Sequence, residues 1–189
     1  MTEVVGILLA AGSGRRFGAP KLLHPLPNGE PIAVAAARTL IQALPNSIAV
    51  VKPGDHALIQ ALSQTGLLIV ENPQADEGMG TSLAAGISAA TGASGWLIAL
   101  ADMPWIQPAT ISAIVDRMNN GASIVAPVYK EQRGHPVGFC SRWLQPLRGL
   151  SGDKGARDVI TNNPDELELF VTEDAGVLKD IDHLQDLGC

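Results

Sequence analysis

Residues 4–21 read VVGILLAAGSGRRFGAPK, an apolar run that passes directly into a loop rich in glycine and positive charge. The apolar part does not alternate with polar residues, which is typical of a strand buried on both faces of a parallel sheet. Similar short runs recur at residues 48–51, 67–70, 96–100 and 123–126. Segments of helical composition and spacing lie between them, at residues 31–44, 56–63, 81–90 and 108–118. This alternation predicts an α/β fold, a Rossmann-like three-layer α/β/α sandwich around a mostly parallel sheet.

The regular alternation weakens after residue 127. Residues 137–140 and 167–172 are candidate strands, of which we expect one to form an antiparallel edge, and residues 154–161 are a candidate helix. No internal repeat, low-complexity tract or linker interrupts the chain. We therefore expect a single domain over residues 1–189.

Composition and charge exclude several classes of protein. The net charge of −6 provides no basic field that would attract a nucleic acid. The N-terminal apolar run is shorter than a membrane helix of about 20 residues, and it lacks the basic flank and cleavage site of a leader. The two cysteines, Cys140 and Cys189, form no ligand cluster. These features predict a cytoplasmic protein that acts on a small molecule, with neither a nucleic-acid nor a membrane partner.

The loop after the first strand has the composition of a phosphate-binding site. Its glycines allow backbone N–H groups to approach an anion closely, and its cations supply the opposite charge. Residues 15–21 hold three of the 13 lysines and arginines of the chain, namely Arg15, Arg16 and Lys21. Because this cluster follows the carboxyl end of a strand, it favours a triphosphate ligand over a turn with solvated arginines.

Two better-known phosphate loops have different spacings. A Walker A loop requires Gly-Lys followed by Ser or Thr, whereas Lys21 follows a proline and precedes a leucine. A dinucleotide fingerprint requires GxGxxG, whereas Gly12, Gly14 and Gly18 are spaced one residue more widely. The second candidate strand also ends in Val51-Lys52 rather than in an acid that would bind a ribose. A dinucleotide-dependent oxidoreductase is therefore an alternative with less support.

Two acidic positions are candidates for a metal site. The apolar run 96–101 ends in Asp102, at the edge of the sheet where open α/β folds bind ligands. A carboxylate there suits a magnesium ion that phosphates and water also hold, although an aspartate before Met-Pro can also simply form a turn. Near the end of the chain, Asp180 and Asp182 share one side if the segment is extended, whereas Asp182 alternatively caps a short helix through Leu187.

The segment from Asn72 to Ser82 offers small residues at the start of a candidate helix. Residues 78–82 read GMGTS, and free N–H groups there allow close approach by a base, a ribose or a phosphate. Alternatively, Thr81 or Ser82 is the N-cap of the helix. The local sequence supports both interpretations equally.

Two later segments carry groups that suit an anionic acceptor. His135 lies in a turn rich in glycine and proline, where a histidine either contacts a ligand or has a structural role. Residues 152–157 read GDKGAR at the start of a candidate helix. Its N–H groups, with Lys154 or Arg157, can bind an anion, or the helix is simply a solvated and capped one.

Several of these segments together resemble one protein family. LLAAGSGRRFG at residues 8–18, followed by Lys21, resembles the signature of the nucleotidyltransferases that include molybdenum cofactor cytidylyltransferases and guanylyltransferases. Ala-Ala-Gly is similar to the cytidylyl branch, since the guanylyl branch more often reads Ala-Gly-Gly. The resemblance extends to LADMP at 100–104, to NP at 72–73 followed by GMGTS, to GHPV at 134–137 and to GDKGAR. One departure is Asp-Ile-Asp-His-Leu at 180–184, where family members often have Asp-Ile-Asp-Thr-Pro.

The resemblance implies a reaction and a set of site residues. It implies transfer of CMP from CTP to the terminal phosphate of a molybdenum-pterin cofactor, with Mg²⁺ as cofactor, pyrophosphate as product and a molybdoenzyme as possible recipient. Lys21, Arg16 and Asp102 would carry the catalysis. The implied ligand contacts are nucleotide binding by Ala10, Ala11, Gly12, Ser13, Gly14, Arg15, Arg16, Lys21, Asn72, Gly80 and Ser82, metal binding by Asp102 and Asp182, and acceptor binding by His135, Lys154 and Arg157. The alternatives are GTP or another NTP as donor, a sugar or polyol phosphate as acceptor, and a non-catalytic carrier of the finished cofactor.

Overall fold

The computed structural model of the chain describes residues 3–12, 17 and 20–187. Within these ranges, an eight-stranded sheet forms the middle layer. Its strands are β1 (Val4–Leu9), β2 (Ser47–Val51), β3 (Leu68–Glu71), β4 (Gly95–Leu100), β5 (Ile124–Tyr129), β6 (Gln132–Arg133), β7 (Val137–Cys140) and β8 (Leu167–Val171). The helices are α1 (Ile32–Ala43), α2 (His56–Ser63), α3 (Met79–Ala89), α4 (Pro108–Asn119), α5 (Leu144–Arg148) and α6 (Arg157–Thr161). No helix in the described part of the chain is long and apolar enough to cross a membrane.

Two packed layers of helices cover the sheet. Because side chains alternate along each strand, Leu8 of β1 packs on the side of α1, α2 and α4, whereas Ile7 packs on the side of α3, α5 and α6. Leu8 and Ile7 are both fully buried. The predicted three-layer sandwich is therefore confirmed.

The strand order is β3-β2-β1-β4-β7-β5-β6, and β8 pairs with β5. The pairs β1–β2, β1–β4, β2–β3 and β5–β8 are parallel, as predicted for most of the sheet. The expectation that one late strand forms an antiparallel edge is wrong, because the antiparallel strand β7 lies between β4 and β5.

Local geometry explains this insertion of β7. Lys130 and Glu131 both have positive φ angles, of 48° and 65°, so β5 turns back tightly into β6. Gly138 of β7 then lies against the side chains of Met118 and Ile114, where a Cβ atom would collide with α4. The returning chain therefore fits closely between its neighbours.

Several predicted boundaries shift for identifiable reasons. The helix predicted from residue 81 begins at Met79, and the helix predicted from residue 154 begins only at Arg157. Gly152 and Gly155 have positive φ angles, of 67° and 54°, which keep the intervening residues in turns. The strand predicted at 67–70 lies at the edge of the sheet rather than buried on both faces, and Leu68 is 71% exposed.

Candidate active site

The candidate site lies at the carboxyl ends of the two central strands. β1 and β4 are parallel neighbours that pair Leu9 with Leu100, so the chain leaves both strands at the same edge of the sheet. Backbone pairing continues one residue further, because the Ala101 N–H donates to the Leu9 oxygen at 3.1 Å. This pairing holds the start of the glycine-rich loop beside Asp102.

Lys21 connects this edge of the sheet to the end of the chain. It begins a short 3-10 turn, Lys21–Leu23, directly after Pro20. Its Nζ atom donates to Asp102 Oδ2 at 2.9 Å and to Asp182 Oδ1 at 3.0 Å. The Lys21 side chain is 9% exposed, whereas those of Asp102 and Asp182 are 26% and 48% exposed. We call these three residues the charged cluster.

The environment of Lys21 keeps its charge. Burial by itself lowers the pKa of the Lys21 amine, but the hydrogen bonds and negative charges of Asp102 and Asp182 outweigh that effect and raise the pKa above its ordinary value. The ammonium therefore stays protonated at neutral pH. It supplies a fixed positive charge at the mouth of the candidate site.

The last segment of the chain places Asp182 beside Lys21. The Ile181 N–H donates to the Asp102 carbonyl oxygen at 3.0 Å, and the Ile181 side chain is fully buried with Phe17 and Ile32. Asp186 accepts from the N–H groups of Asp182 and His183, at 2.9 and 2.6 Å. Asp186 lies within the final 3-10 turn, Leu184–Leu187, and its side chain thus binds the backbone just before that turn, whereas the Asp182 carboxylate faces Lys21.

A buried carboxylate that the sequence arguments missed anchors the same segment. Asp174 is 4% exposed, and its Oδ2 accepts from the Gln107 N–H at 2.8 Å and from the Thr110 hydroxyl at 2.7 Å. Its Oδ1 accepts from the Gly176 N–H at 2.9 Å. Asp174 therefore fastens the C-terminal segment to the start of α4. The Asp-Ala-Gly sequence was a local signal for a turn, but the link to α4, 64 residues away, leaves no local pattern.

A pocket of about 360 Å³ opens beside the charged cluster. The structure brings six predicted residues to its lining, namely Ala10, Ala11, Gly12, Lys21, Ser82 and Asp102. Sequence reasoning missed Lys52, Asp55 and Leu58, which come from the end of β2 and the start of α2. The pocket therefore combines the start of the loop and the metal candidate with an apolar wall, which consists of Leu22, Leu23, Leu58 and Leu100.

Asn72 and Gly80 have different local roles from the contacts expected of them. Asn72 is buried, and its Nδ2 donates to Thr81 Oγ1 at 3.1 Å and to Ser82 Oγ at 3.0 Å. The Gly80 N–H donates to the Gly152 carbonyl oxygen at 2.7 Å, so the expectation of a free N–H there is wrong. Thr81 and Ser82 lie within α3 rather than at its N-cap, which is Gly78.

Two of the predicted acceptor residues lie on a turn at the surface. Lys154 and Arg157 are exposed, and Lys154 Nζ pairs with Asp158 at 3.2 Å. The turn that carries them packs on the start of α3, where a Cβ atom at Gly80 would lie 2.6 Å from the Ser151 oxygen. The structure thus supports a solvated helix start and shows no contact of either side chain with the charged cluster.

His135 occupies a more buried position. Its N–H donates to the Val177 oxygen at 2.9 Å, and its buried Nδ1 has no hydrogen-bond partner among the described residues. Burial lowers the pKa of the His135 imidazole and the charge of Arg133 lowers it further, whereas Asp102 partly opposes both. The neutral imidazole is therefore favoured, with one nitrogen unsatisfied.

Four of the predicted nucleotide contacts, Ser13, Gly14, Arg15 and Arg16, lie outside the described residues.

The chemistry of the charged cluster fits a divalent metal ion. Asp102 and Asp182 each place one carboxylate oxygen about the same distance from a single cation, the Lys21 ammonium. Hard oxygen ligands are those that Mg²⁺ and Mn²⁺ prefer. No group of three or more His, Cys, Asp or Glu side chains that could hold a metal converges within the described ranges. Such a pair of carboxylates suits a metal that substrate phosphates and water also bind.

Residues 6–167 match the protein family described as the MobA-like NTP transferase domain. The chain is 29% identical to nicotine blue oxidoreductase of Paenarthrobacter nicotinovorans, over 97% of this chain and 94% of that protein. It is 28% identical to purine catabolism protein PucB of Bacillus subtilis strain 168, over 95% of this chain and 91% of that protein. The crystal structure of Rv0371c from Mycobacterium tuberculosis H37Rv is 27% identical with a TM-score of 0.82, covering 98% of this chain and 95% of that one. A structure of Rv0371c in complex with manganese is 26% identical with a TM-score of 0.80, covering 98% and 96%.

Proposed function

The chain belongs to the family of MobA-like NTP transferase domains, and we propose that this nucleotidyltransferase transfers CMP from CTP to the terminal phosphate of a molybdenum-pterin cofactor. The observation that supports the proposal is the buried Lys21 ammonium between two carboxylates, at the mouth of a pocket that the start of the glycine-rich loop helps to line. Charge neutralisation is the main requirement of phosphoryl chemistry. The Lys21 ammonium supplies one positive charge for this purpose, and the two carboxylates would supply more by holding a divalent metal ion.

In the proposed reaction, an oxygen of the acceptor phosphate attacks the α-phosphorus of CTP in line. A new P–O bond forms as the bond to the bridging oxygen breaks, and pyrophosphate leaves with the electron pair. The acceptor is already an anionic nucleophile, so neither a covalent enzyme intermediate nor a general base is required. Positioning and charge neutralisation are sufficient.

In this reaction, different residues bind the triphosphate, the metal ion and the acceptor. Lys21 neutralises charge on the triphosphate, and backbone N–H groups of the loop from Gly12 onward hold its oxygens, together with Arg15 and Arg16. Asp102 and Asp182 would hold Mg²⁺, which when bound supplies further neutralisation of the leaving pyrophosphate. His135, with its unsatisfied imidazole nitrogen, would contact the acceptor.

The nucleotide and acceptor preferences rest on resemblance. The Ala-Ala-Gly sequence at residues 10–12 supports CTP, and the apolar pocket wall near Leu58 suits a base. The proposal that a molybdoenzyme receives the finished cofactor rests on the same resemblance. The cytoplasmic setting expected from the sequence belongs to the same proposal.

Substrate profiling tests the proposal directly. Pyrophosphate release is measured with CTP, GTP, ATP and UTP, each with Mg²⁺ and the molybdenum-pterin acceptor. A pocket that selects by hydrogen bonding is expected to prefer CTP by about 10²-fold or more. Equal or better use of GTP contradicts the cytidylyl assignment and leaves the reaction class intact. Turnover with a sugar or polyol phosphate, but not with the pterin, contradicts the acceptor.

A second candidate activity is favoured by one observation, the name oxidoreductase of the Paenarthrobacter relative. Dinucleotide-dependent reduction has less support here, because the loop lacks GxGxxG spacing and β2 is followed by Lys52 rather than by an acid. Consumption of NADH or NADPH in the presence of nicotine blue tests it. We expect no consumption above that of a heat-denatured sample, and a saturable rate would establish the redox activity.

A further inference from the structure

The Lys21 ammonium lies where the metal ion of the proposed reaction would be held. Its Nζ is 2.9 Å from one carboxylate and 3.0 Å from the other, and these are its only hydrogen-bond acceptors among the described residues. The two carboxylates reach it from 81 and 161 residues away in the sequence. The same two acids are therefore required by two cations, the lysine and the metal.

A divalent metal ion and the Lys21 ammonium compete for the carboxylates of Asp102 and Asp182. Asp102 and Asp182 carry two negative charges, of which the ammonium already neutralises one. A divalent cation placed between the same oxygens would lie next to a like charge in a partly buried site, where repulsion is weakly screened. Binding of the metal therefore favours displacement of Lys21.

A bound nucleotide would offer the Lys21 ammonium an alternative anionic partner. Its side chain lines the same pocket as Ala11 and Gly12, so rotation about its flexible stem can carry the charge toward the phosphates. Another carboxylate in the described lining, that of Asp55, already accepts from the Leu58 N–H at 3.3 Å as the N-cap of α2. The nucleotide therefore supplies the new partner that releases the two carboxylates.

We infer that Lys21 occupies the cation position between Asp102 and Asp182 until a triphosphate binds, so that a divalent metal ion binds tightly only together with the nucleotide. This inference rests on the proposed metal site and adds an order to its assembly. Thermodynamic linkage makes the effect reciprocal, because a metal that displaces Lys21 also frees the lysine for the phosphates. In the absence of nucleotide, Lys21 thus prevents a free metal ion from binding tightly to Asp102 and Asp182.

The test measures binding of Mn²⁺ alone, by titration followed by electron paramagnetic resonance of the free ion, with no nucleotide present. Lys21→Met removes the charge and keeps an apolar stem, and we expect it to bind Mn²⁺ about tenfold more tightly than the unmodified protein, within the range typical of coupled sites. Lys52→Met is the matched control, because Lys52 lines the same pocket but pairs with Asp76 at 2.6 Å. Its Mn²⁺ affinity should be unchanged.

Two additions keep the result interpretable. Circular dichroism checks that each variant is folded, and Lys21→Gln, which is neutral but can still donate a hydrogen bond, replaces Lys21→Met if the latter is not. In the double variant Lys21→Met/Asp182→Asn, the gain in affinity should disappear. With a CTP analogue that has a methylene bridge between the α- and β-phosphates, the affinity of the unmodified protein for Mn²⁺ should rise more than that of Lys21→Met.

The outcomes separate the inference from the proposed function. If Asp102→Asn weakens Mn²⁺ binding while neither neutral Lys21 variant strengthens it, the inference is wrong and the metal site stands. If Asp102→Asn and Asp182→Asn both leave Mn²⁺ binding unchanged even with the analogue, the proposed metal site itself is wrong. An equal gain in Lys52→Met would assign the effect to the general loss of a positive charge and overturn the specific role of Lys21.

Discussion

The charged cluster and the turn at residues 152–157 both contain charged groups that the sequence assigns to substrate binding. In the cluster, the ammonium is buried and its partners come from two distant parts of the chain. In the turn, Lys154 is 72% exposed and its partner is Asp158, four residues later. Tertiary contacts thus fix the charged side chains of the cluster, whereas those of the turn are mainly hydrated.

The two regions should therefore differ in their sensitivity to mutation. A buried charge has lost its hydration and depends on its partners, so removal of one partner leaves the others uncompensated. An exposed ion pair such as Lys154–Asp158 typically contributes only about 0–1 kcal/mol.

Asp102→Asn should lower Mg²⁺-dependent transfer on the order of 10²-fold or more, because an amide oxygen cannot neutralise the metal or Lys21 as a carboxylate does. Pyrophosphate release as a function of Mg²⁺ concentration measures the effect. The thermal unfolding midpoint should change by only a few degrees, since Asp102 is partly exposed. Asp158→Asn in the exposed pair is the control. A folded Asp102→Asn protein with normal activity would reject the metal assignment.

Asp182→Asn should lower the same activity by about tenfold, which is the lower end of the losses expected at metal sites. Its carboxylate is nearly half exposed, so water can replace part of its function. The comparison of the two variants at several Mg²⁺ concentrations ranks the two acids. A loss larger than that of Asp102→Asn would reverse the proposed order of importance.

Asp174→Ala should destabilise the protein by about 1–3 kcal/mol, because it leaves buried donors of Gln107, Thr110 and Gly176 without their acceptor. The free energy of unfolding in urea measures this cost. Turnover of the folded fraction should also fall, since the segment that carries Asp182 loses its anchor. Thr110→Val removes one of the three donors and should give a smaller change in both measurements. Unchanged turnover in folded Asp174→Ala would show that other contacts suffice to place Asp182.

Replacement of both Lys154 and Arg157 by alanine should leave the free energy of unfolding within about 0.5 kcal/mol of the original value, as is usual for exposed positions. If these side chains bind the acceptor, the KM for the acceptor should rise several-fold while the KM for the nucleotide stays constant. Steady-state kinetics with each substrate varied in turn separates the two parameters. No change in either KM would remove both residues from the proposed acceptor site.

His135 differs from both regions, because its side chain is partly buried and its Nδ1 has no hydrogen-bond partner among the described residues. Its pKa lies below the ordinary value of 6.5, so the unfolded chain takes up this proton at a higher pH than the folded protein does. Stability should therefore be insensitive to this group above about pH 6.5 and should fall as the pH decreases through the lower folded-state pKa. Unfolding measured across this window should show a shallower decline for His135→Gln, with His56→Gln as the control for loss of an exposed imidazole. An identical decline in both variants would contradict this account of His135.

Much of the fold follows from periodicity that is visible in short windows. The unbroken apolar runs at β1 and β4 correspond to central strands, and Asp102 follows β4 at the edge where ligands bind. Strand β3 shows the limit of this reasoning, because an apolar run looks the same in the centre of a sheet and at its edge. Only the strand order exposes Leu68.

Some features of the candidate site were likewise predictable from the local sequence, and others were not. The composition of the loop indicated phosphate binding, and Asp102 was identified by its position after a strand. The Gly80 N–H, by contrast, looked free in the sequence and is taken by Gly152 across the fold. Lys52, Asp55 and Leu58 were missed because nothing local distinguishes a pocket wall from an ordinary strand end and helix start.

By itself, the sequence determined the α/β alternation, the glycine-rich loop at the end of β1 and the acid at the end of β4, because these depend on neighbours within a few residues. The tertiary structure alone decided that β7 inserts between β4 and β5, that Asp174 fastens the last segment to α4, and that Lys21 lies between Asp102 and Asp182. These contacts join residues that are far apart in the chain. Their geometry depends on how the whole core packs, and no local pattern of residues encodes that packing.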